Sequence, residues 1–150
     1  MGRVLGCGIR HYVRVSDRPF PMSPRSTRDL RIGDFWAVSL ADGDYGACQV
    51  VDLRSTGPGS RMTFVVGLVR WRGGALPDDV ALLGTQVERV GVCPVEVFAE
   101  MASPILGNRP VTFAAGVGSP WSDVSVGAKT SVWGARTVGR KVQELLDGAP

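Results

Sequence analysis

Two runs of the chain alternate with a period of two, from Asp34 to Leu40 and again from Tyr45 to Leu53. In the first, Phe35, Ala37, Ser39 and then Ala41 fall on one side of an extended segment, with Trp36, Val38 and Leu40 on the other. Both faces are therefore set for at least partial burial. Asp42-Gly43-Asp44 breaks the pattern with residues that accept turn or left-handed geometry. In the return run Tyr45, Ala47, Gln49 and Val51 oppose Gly46, Cys48, Val50 and Asp52. The pattern predicts a β-hairpin with a buried interior between Arg31 and Arg54, around which the rest of the domain is organised.

A loop of breaker residues, Ser55 to Ser60, follows. Arg61 to Trp71 is apolar on both of its sides, the mark of a central strand, and Gly67 within it would let a neighbouring element approach or allow a bend. Val80 to Leu83 and Gln86 to Cys93 read as two short extended pieces separated by Gly84, and Val95 to Met101 as a turn of helix. Residues 105 to 128 are irregular, with Trp121 expected to pin them onto the body, and Lys129 to Trp133 reads as a last strand. After Gly134 the period changes. Val138, Val142, Leu145 and Leu146 fall on one face of a helix, with Thr137 as the expected N-cap and Gly148 as its stop. The resulting fold class is α+β: a small, strongly bent antiparallel sheet or partly open β-barrel with a C-terminal amphipathic helix.

Composition divides the chain. Residues 1–30 are rich in arginine and carry prolines 19, 21 and 24, which predicts a flexible leader before a single β-rich domain over 31–150; His11 to Val15 is a candidate edge strand within it, and Met22 a second candidate start. The net charge is +3, but it is uneven: residues 1–31 hold seven arginines against Asp17 and Asp29, whereas residues 32–108 hold five arginines against nine carboxylates. An acidic body with a basic leader is expected. No apolar run is long enough to cross a bilayer, no secretory signal is evident, and three widely spaced cysteines make a poor disulfide framework. These point to a cytoplasmic protein.

The residues offer little reactive chemistry. The single histidine, His11, lies in the leader, without a partner to orient it as a general base. Cys7, His11, Cys48 and Cys93 lack the paired spacing of a structural zinc site, and Cys48 and Cys93 read as small buried thiols. The glycine-rich stretches Gly2 to Gly8 and Gly116 to Ser119 lack the lysine and hydroxyl ending of a phosphate loop. Asp42 with Asp44, and Asp78 with Asp79, are the remaining acid pairs; as turn residues they are explained by local hydrogen bonding. No catalytic residue, cofactor or metal is therefore assigned. A nucleic-acid or ribosome-associated small β-barrel binding domain is a second reading, using Arg70, Trp71 and Arg72, the terminal-helix residues Arg136, Arg140 and Lys141, and the leader.

Gly33-Asp34-Phe35, Asp42-Gly43 and Tyr45-Gly46 occur in the order of a Gly-Asp pair entering an aromatic strand, an Asp-Gly turn, and an aromatic-Gly return; Trp133-Gly134 followed by a short helix stands near the carboxyl end. In these features the chain resembles the bacterial immunity protein 26 family. The resemblance implies a non-catalytic protein that neutralises a cognate toxin, often a nuclease, by direct binding. An acidic inhibitor surface would be steered towards a basic nuclease cleft. Asp42, Asp44, Tyr45 and Asp52 on the hairpin, with Asp78 and Asp79, are the partner-binding residues expected on this reading.

Overall fold

The computed structural model describes residues 18–54, 57, 60–121 and 132–148. The candidate edge strand at 11–15, Cys7, His11, the glycines of 2–8 and residues 129–131 lie outside the described residues.

A 3-10 turn at Thr27–Asp29 precedes strands β1 (Asp34–Ser39), β2 (Tyr45–Asp52), β3 (Thr63–Gly73) and β4 (Val87–Pro94). A short helix α1 (Val97–Met101), a two-residue strand β5 (Gly107–Asn108) and the terminal helix α2 (Ala135–Leu146) follow. The strands form one antiparallel sheet in the order β4-β3-β2-β1-β5. The sheet is open, with β4 and β5 at opposite edges. The free edge of β4 is met by single parallel bridges, Val87 to Phe113 and Val92 to Val132, which occupy backbone groups that would otherwise invite another strand.

The hairpin forms in the register set by its alternation, Trp36 opposite Cys48 and Val38 opposite Gly46. Its turn closes with Leu40 donating to the Asp44 carbonyl at 2.8 Å and the Asp44 amide donating to the Asp42 carboxylate at 3.0 Å. Each face of the sheet then carries its own apolar cluster. On one, Trp36, Val38, Cys48, Val50, Phe64, Val66 and Leu68 meet Phe98 of α1 and Val138, Val142 and Leu145 of α2. On the other, Phe35, Ala47, Val51, Val65, Val69 and Val87 are covered by Leu82 and, from the 106–121 segment, by Leu106, Val111, Phe113, Val117 and Trp121. Trp36 packs edge-on against both Phe64 and Phe98, with ring centroids 5.9 and 4.8 Å away.

Gly46 shows why α2 lies where it does: a Cβ there would stand 2.5 Å from Val142 Cγ1. The absent side chain lets the helix settle directly on β2. At Gly67 a Cβ would meet Val51 and Val87, both at 2.7 Å, so the close approach expected of that glycine is a packing of side chains over β3.

Three local expectations differ from the structure. Val80 to Leu83 forms consecutive turns rather than a strand, because the Asp78 carboxylate accepts the Ala81 amide and the Asp78 carbonyl accepts that of Leu82. Helix α2 begins at Ala135 with Gly134 as its N-cap, two residues before Thr137. The Trp133 amide is already held by the Val92 carbonyl at 2.7 Å, so the chain must turn immediately after it. Of the expected last strand, the described part contributes the single Val132 bridge. The expected stop is present: Gly148 takes φ +81° after the helix, with its amide on Leu145.

Residues 18–30, which composition assigned to the leader, make specific contacts with the body. Met22 and Ile105 exchange backbone hydrogen bonds of 2.9 and 2.7 Å, Leu30 is buried, and the Thr27 hydroxyl donates to the Ser60 carbonyl at 2.6 Å. Ser26 and Asp29 form a reciprocal capping box around the 3-10 turn.

Candidate functional site

Six acidic or aromatic residues were singled out by sequence, and the structure distributes them over three places. Asp42 and Asp44 lie on the β1–β2 turn, where Arg72 of β3 reaches both carboxylates and also Asp147 beyond α2 at 3.5 Å. The Asp44 backbone N–H, then Arg72, hold the Asp42 carboxyl below its ordinary pKa. Gln143 of α2 adds to this corner, accepting the Ala41 amide at 3.0 Å. These carboxylates thus tie the turn, β3 and α2 together, and Arg72 offsets their charge locally. Tyr45 starts β2 nearby, half-buried, opposite Ser39.

Asp52 sits at the far end of β2. One carboxylate oxygen accepts the Leu53 amide at 2.9 Å and the other accepts the Ser119 hydroxyl. The Ser119 oxygen in turn accepts the Trp121 amide at 3.1 Å, and the Trp121 ring lies 4.3 Å beneath the Arg54 guanidinium. Asp52 and Trp121 together fasten the covering segment to the sheet, the role expected of Trp121.

Asp78 and Asp79 line a cleft of about 550 Å³ with Arg18, Arg31, Ile32, Phe35, Leu106 and Asn108. Asp78 also fixes its own turn through the Ala81 amide, whereas the Asp79 side chain is exposed and has no partner among the described residues. Phe35 is buried at the floor, and Ile32 stands 52% exposed at the rim. The loop that bears the two aspartates also exposes Leu76, Val80 and Leu83 at 56, 73 and 68%. Single exposed apolar side chains are ordinary on a surface; here three come from the one loop that also lines the cleft through Asp78 and Asp79.

One wall of the cleft is held by a dense set of hydrogen bonds. Asp34, fully buried, accepts both terminal nitrogens of Arg18 at 2.7 and 2.9 Å, the Arg31 amide at 2.9 Å and the Asn108 side-chain amide at 2.9 Å. Four donors satisfy its carboxylate, the condition under which a buried charge is tolerated. Gln49, also buried, spans from β2 to the carbonyls of Gly33 and Arg109 at 3.2 and 2.9 Å. The Arg109 guanidinium reaches the Asp79 carbonyl at 3.0 Å and so ties the acidic loop to the same frame.

Of the residues that line the cleft, Asp78 and Asp79 were candidates from the sequence, whereas Arg18, Ile32, Leu106 and Asn108 were not. The cleft joins four stretches distant in the chain, and the visible signal was only a Gly-Asp pair preceding the hairpin.

The basic residues considered for nucleic acid are partly neutralised. Arg70 makes a two-pronged contact with Glu88 at 2.6 and 2.8 Å, which lowers the Glu88 carboxyl pKa, and also donates to the Leu145 carbonyl at the end of α2. Arg72 is held by the three aspartates named above, Arg140 approaches Glu144 at 3.7 Å, and Lys141 lies over the Trp133 ring. Cys48 and Cys93 are buried, free thiols whose pKa values are pushed up by burial. Among the described residues no group of three or more His, Cys, Asp or Glu is placed to hold a metal ion, and no helix is long and apolar enough to cross a membrane. Comparison with known proteins gives no match to this chain from any family model, any curated protein or any solved structure.

Proposed function

We propose that this protein is a non-catalytic binding protein that acts in the cytoplasm by neutralising a cognate bacterial toxin through direct contact. The observation that carries the reading is the cleft lined by Ile32, Phe35, Leu106, Asp78 and Asp79, whose acidic loop also exposes Leu76, Val80 and Leu83 and whose Asp79 carboxylate has no partner among the described residues. A recognition surface needs apolar anchor area at its centre and charge at its rim, and this place supplies both beside a hydrogen-bonded wall. The hairpin acids Asp42 and Asp44 fit the role less well, since Arg72 already offsets them. Asp52 is engaged in holding the covering segment. The recognising face is therefore narrowed to the cleft and its loop.

The cleft suits an apolar side chain of the partner flanked by lysine or arginine. A basic nuclease toxin would be steered to the carboxylates at long range and held by the apolar contacts at short range. The test is titration of the purified protein into the toxin domain encoded beside its gene, with toxin activity as the readout. Loss of activity at a one-to-one ratio is expected. Activity that persists at excess, or a gene neighbourhood without a toxin, would overturn the reading.

A further inference from the structure

We propose that Arg28, Arg54 and Arg61 form a second site, separate from the cleft, that binds a phosphate group. All three residues line one shallow pocket of about 400 Å³ together with Thr27, Leu53 and Ser60. All three arginines are exposed, and among the described residues none has a carboxylate within ion-pairing distance. That sets them apart from Arg18, Arg70, Arg72 and Arg140, each of which has at least one.

The nearest carboxylates in sequence are committed elsewhere. Asp29 accepts the backbone amides of Arg25 and Ser26, and Asp52 accepts the Leu53 amide and the Ser119 hydroxyl. The pocket is nonetheless held in shape. The Thr27 amide donates to the Arg61 carbonyl at 3.1 Å and the Thr27 hydroxyl to the Ser60 carbonyl, which binds the backbone beside Arg28 to the one bearing Arg61. Arg54 is steadied by its stacking on Trp121.

Three positively charged residues gathered at one pocket raise the local positive potential, and a bound anion offsets that cost. Their planar donor forks match the tetrahedral oxygens of a phosphate, which can take paired hydrogen bonds from more than one arginine. A dianionic phosphate monoester or a run of phosphodiesters fits the charge better than a single carboxylate does. The pocket is large enough for a nucleotide-sized group. The phosphate source is either a small phosphorylated molecule or a single-stranded nucleic-acid backbone.

The full chain is titrated with inorganic pyrophosphate by calorimetry, and with a short fluorescein-labelled single-stranded oligonucleotide by anisotropy. Binding that weakens as salt is raised is expected for at least one probe. The triple variant Arg28→Gln/Arg54→Gln/Arg61→Gln should lose at least about tenfold in affinity, whereas Arg136→Gln/Arg140→Gln/Lys141→Gln, with the same loss of charge, should stay within about threefold. Single Arg28→Gln and Arg61→Gln variants, which leave the Trp121 stack in place, should each show part of the loss. Tighter binding of the oligonucleotide identifies a nucleic-acid backbone as the source; pyrophosphate binding that the oligonucleotide does not displace identifies a small phosphorylated molecule. Failure of both probes to bind at low salt, or equal losses in the two triple variants, would overturn the assignment.

Discussion

Arg18 grips Asp34 with two hydrogen bonds, at 2.7 and 2.9 Å, although sixteen residues separate them in sequence. The carboxylate has no solvent exposure and the guanidinium little, so the pair sits between the chain before the hairpin and the first residue of β1. The edge of the sheet is completed by a charge that the preceding segment supplies.

Removing one member of such a pair leaves the other buried without its partner, at a cost of about 3 to 5 kcal/mol. Asp34→Ala should therefore lower unfolding stability by about that amount, because Arg18, the Arg31 amide and Asn108 all lose the carboxylate as an acceptor, while the Asp29 and Ile32 carbonyls remain to Arg18 and Asn108. Arg18→Ala should cost less, since the Arg31 and Asn108 donors remain on the carboxylate. Urea denaturation of both variants checks the order. Asp34→Ala within about 1 kcal/mol of wild type would show that the pair does not hold the segment.

Gly46→Ala tests the contact between helix and sheet. The added methyl would press on Val142 Cγ1 and on Leu146 Cδ1, which lies 3.1 Å from its position. Overpacking of this kind costs about 1 to 3 kcal/mol. If the clash is the cause, Gly46→Ala combined with Val142→Ala should be less destabilised than the sum of the two single changes. Strict additivity in thermal or denaturant unfolding would remove Val142 as the reason for the glycine.

The hairpin, the central third strand and the apolar face of α2 were legible because each rests on local sequence: runs apolar on both sides for strands covered on both faces, and a 3.6-residue period for a helix with one face on the core. Trp36 with Val38 and Phe64 with Val66 and Leu68 share a face as the alternation requires. The turns over Val80 to Leu83 were not legible. A short apolar run reads alike in a strand and in a turn, and here the capping carboxylate of Asp78 decided it. The role of Asp52 was hidden for a related reason, since its partner Ser119 is 67 residues away. Arg18 was hidden by its surroundings: prolines and arginines look like a leader until one guanidinium finds a buried acid.

Acid should weaken the fold through surface pairs. Hydrogen bonding lowers the folded-state pKa of Asp42, from the Asp44 amide and then Arg72, and of Glu88, from Arg70. The unfolded chain then binds more protons than the folded one as pH falls through the carboxylate range. The stabilisation is full above that range and is lost as pH falls through the depressed values. The unfolding midpoint should drop over this window, and Asp42→Asn/Glu88→Gln should flatten the drop. Both groups are near the surface, so the effect is small and is reduced by salt. A midpoint slope identical in the double variant would contradict the assignment.

Cys48 and Cys93 should be inert while the protein is folded. Burial raises both thiol pKa values; for Cys48 the neighbouring Cys93 adds to the rise, and for Cys93 Glu100 and then Glu96 add to it. Thiolate, the reactive form, is correspondingly scarce. In a Cys7→Ser background, modification by an aromatic disulfide reagent should follow the rate of unfolding. Rapid labelling of either thiol under native conditions would show that the core opens locally.

The proposed neutralisation of a toxin depends most on the Asp79 cleft being the recognising face. Its direct test is the dissociation constant for a toxin domain encoded beside the gene, as the proposal requires, measured by calorimetry with wild type, Ile32→Ser/Asp79→Lys and Asp42→Asn/Asp44→Asn. Both cleft side chains are exposed and outside the core, so the fold should survive their change. The account predicts at least about tenfold weaker binding for the cleft variant and a change within about threefold for the hairpin variant. Wild-type affinity in the cleft variant, or the larger loss in the hairpin variant, would contradict it.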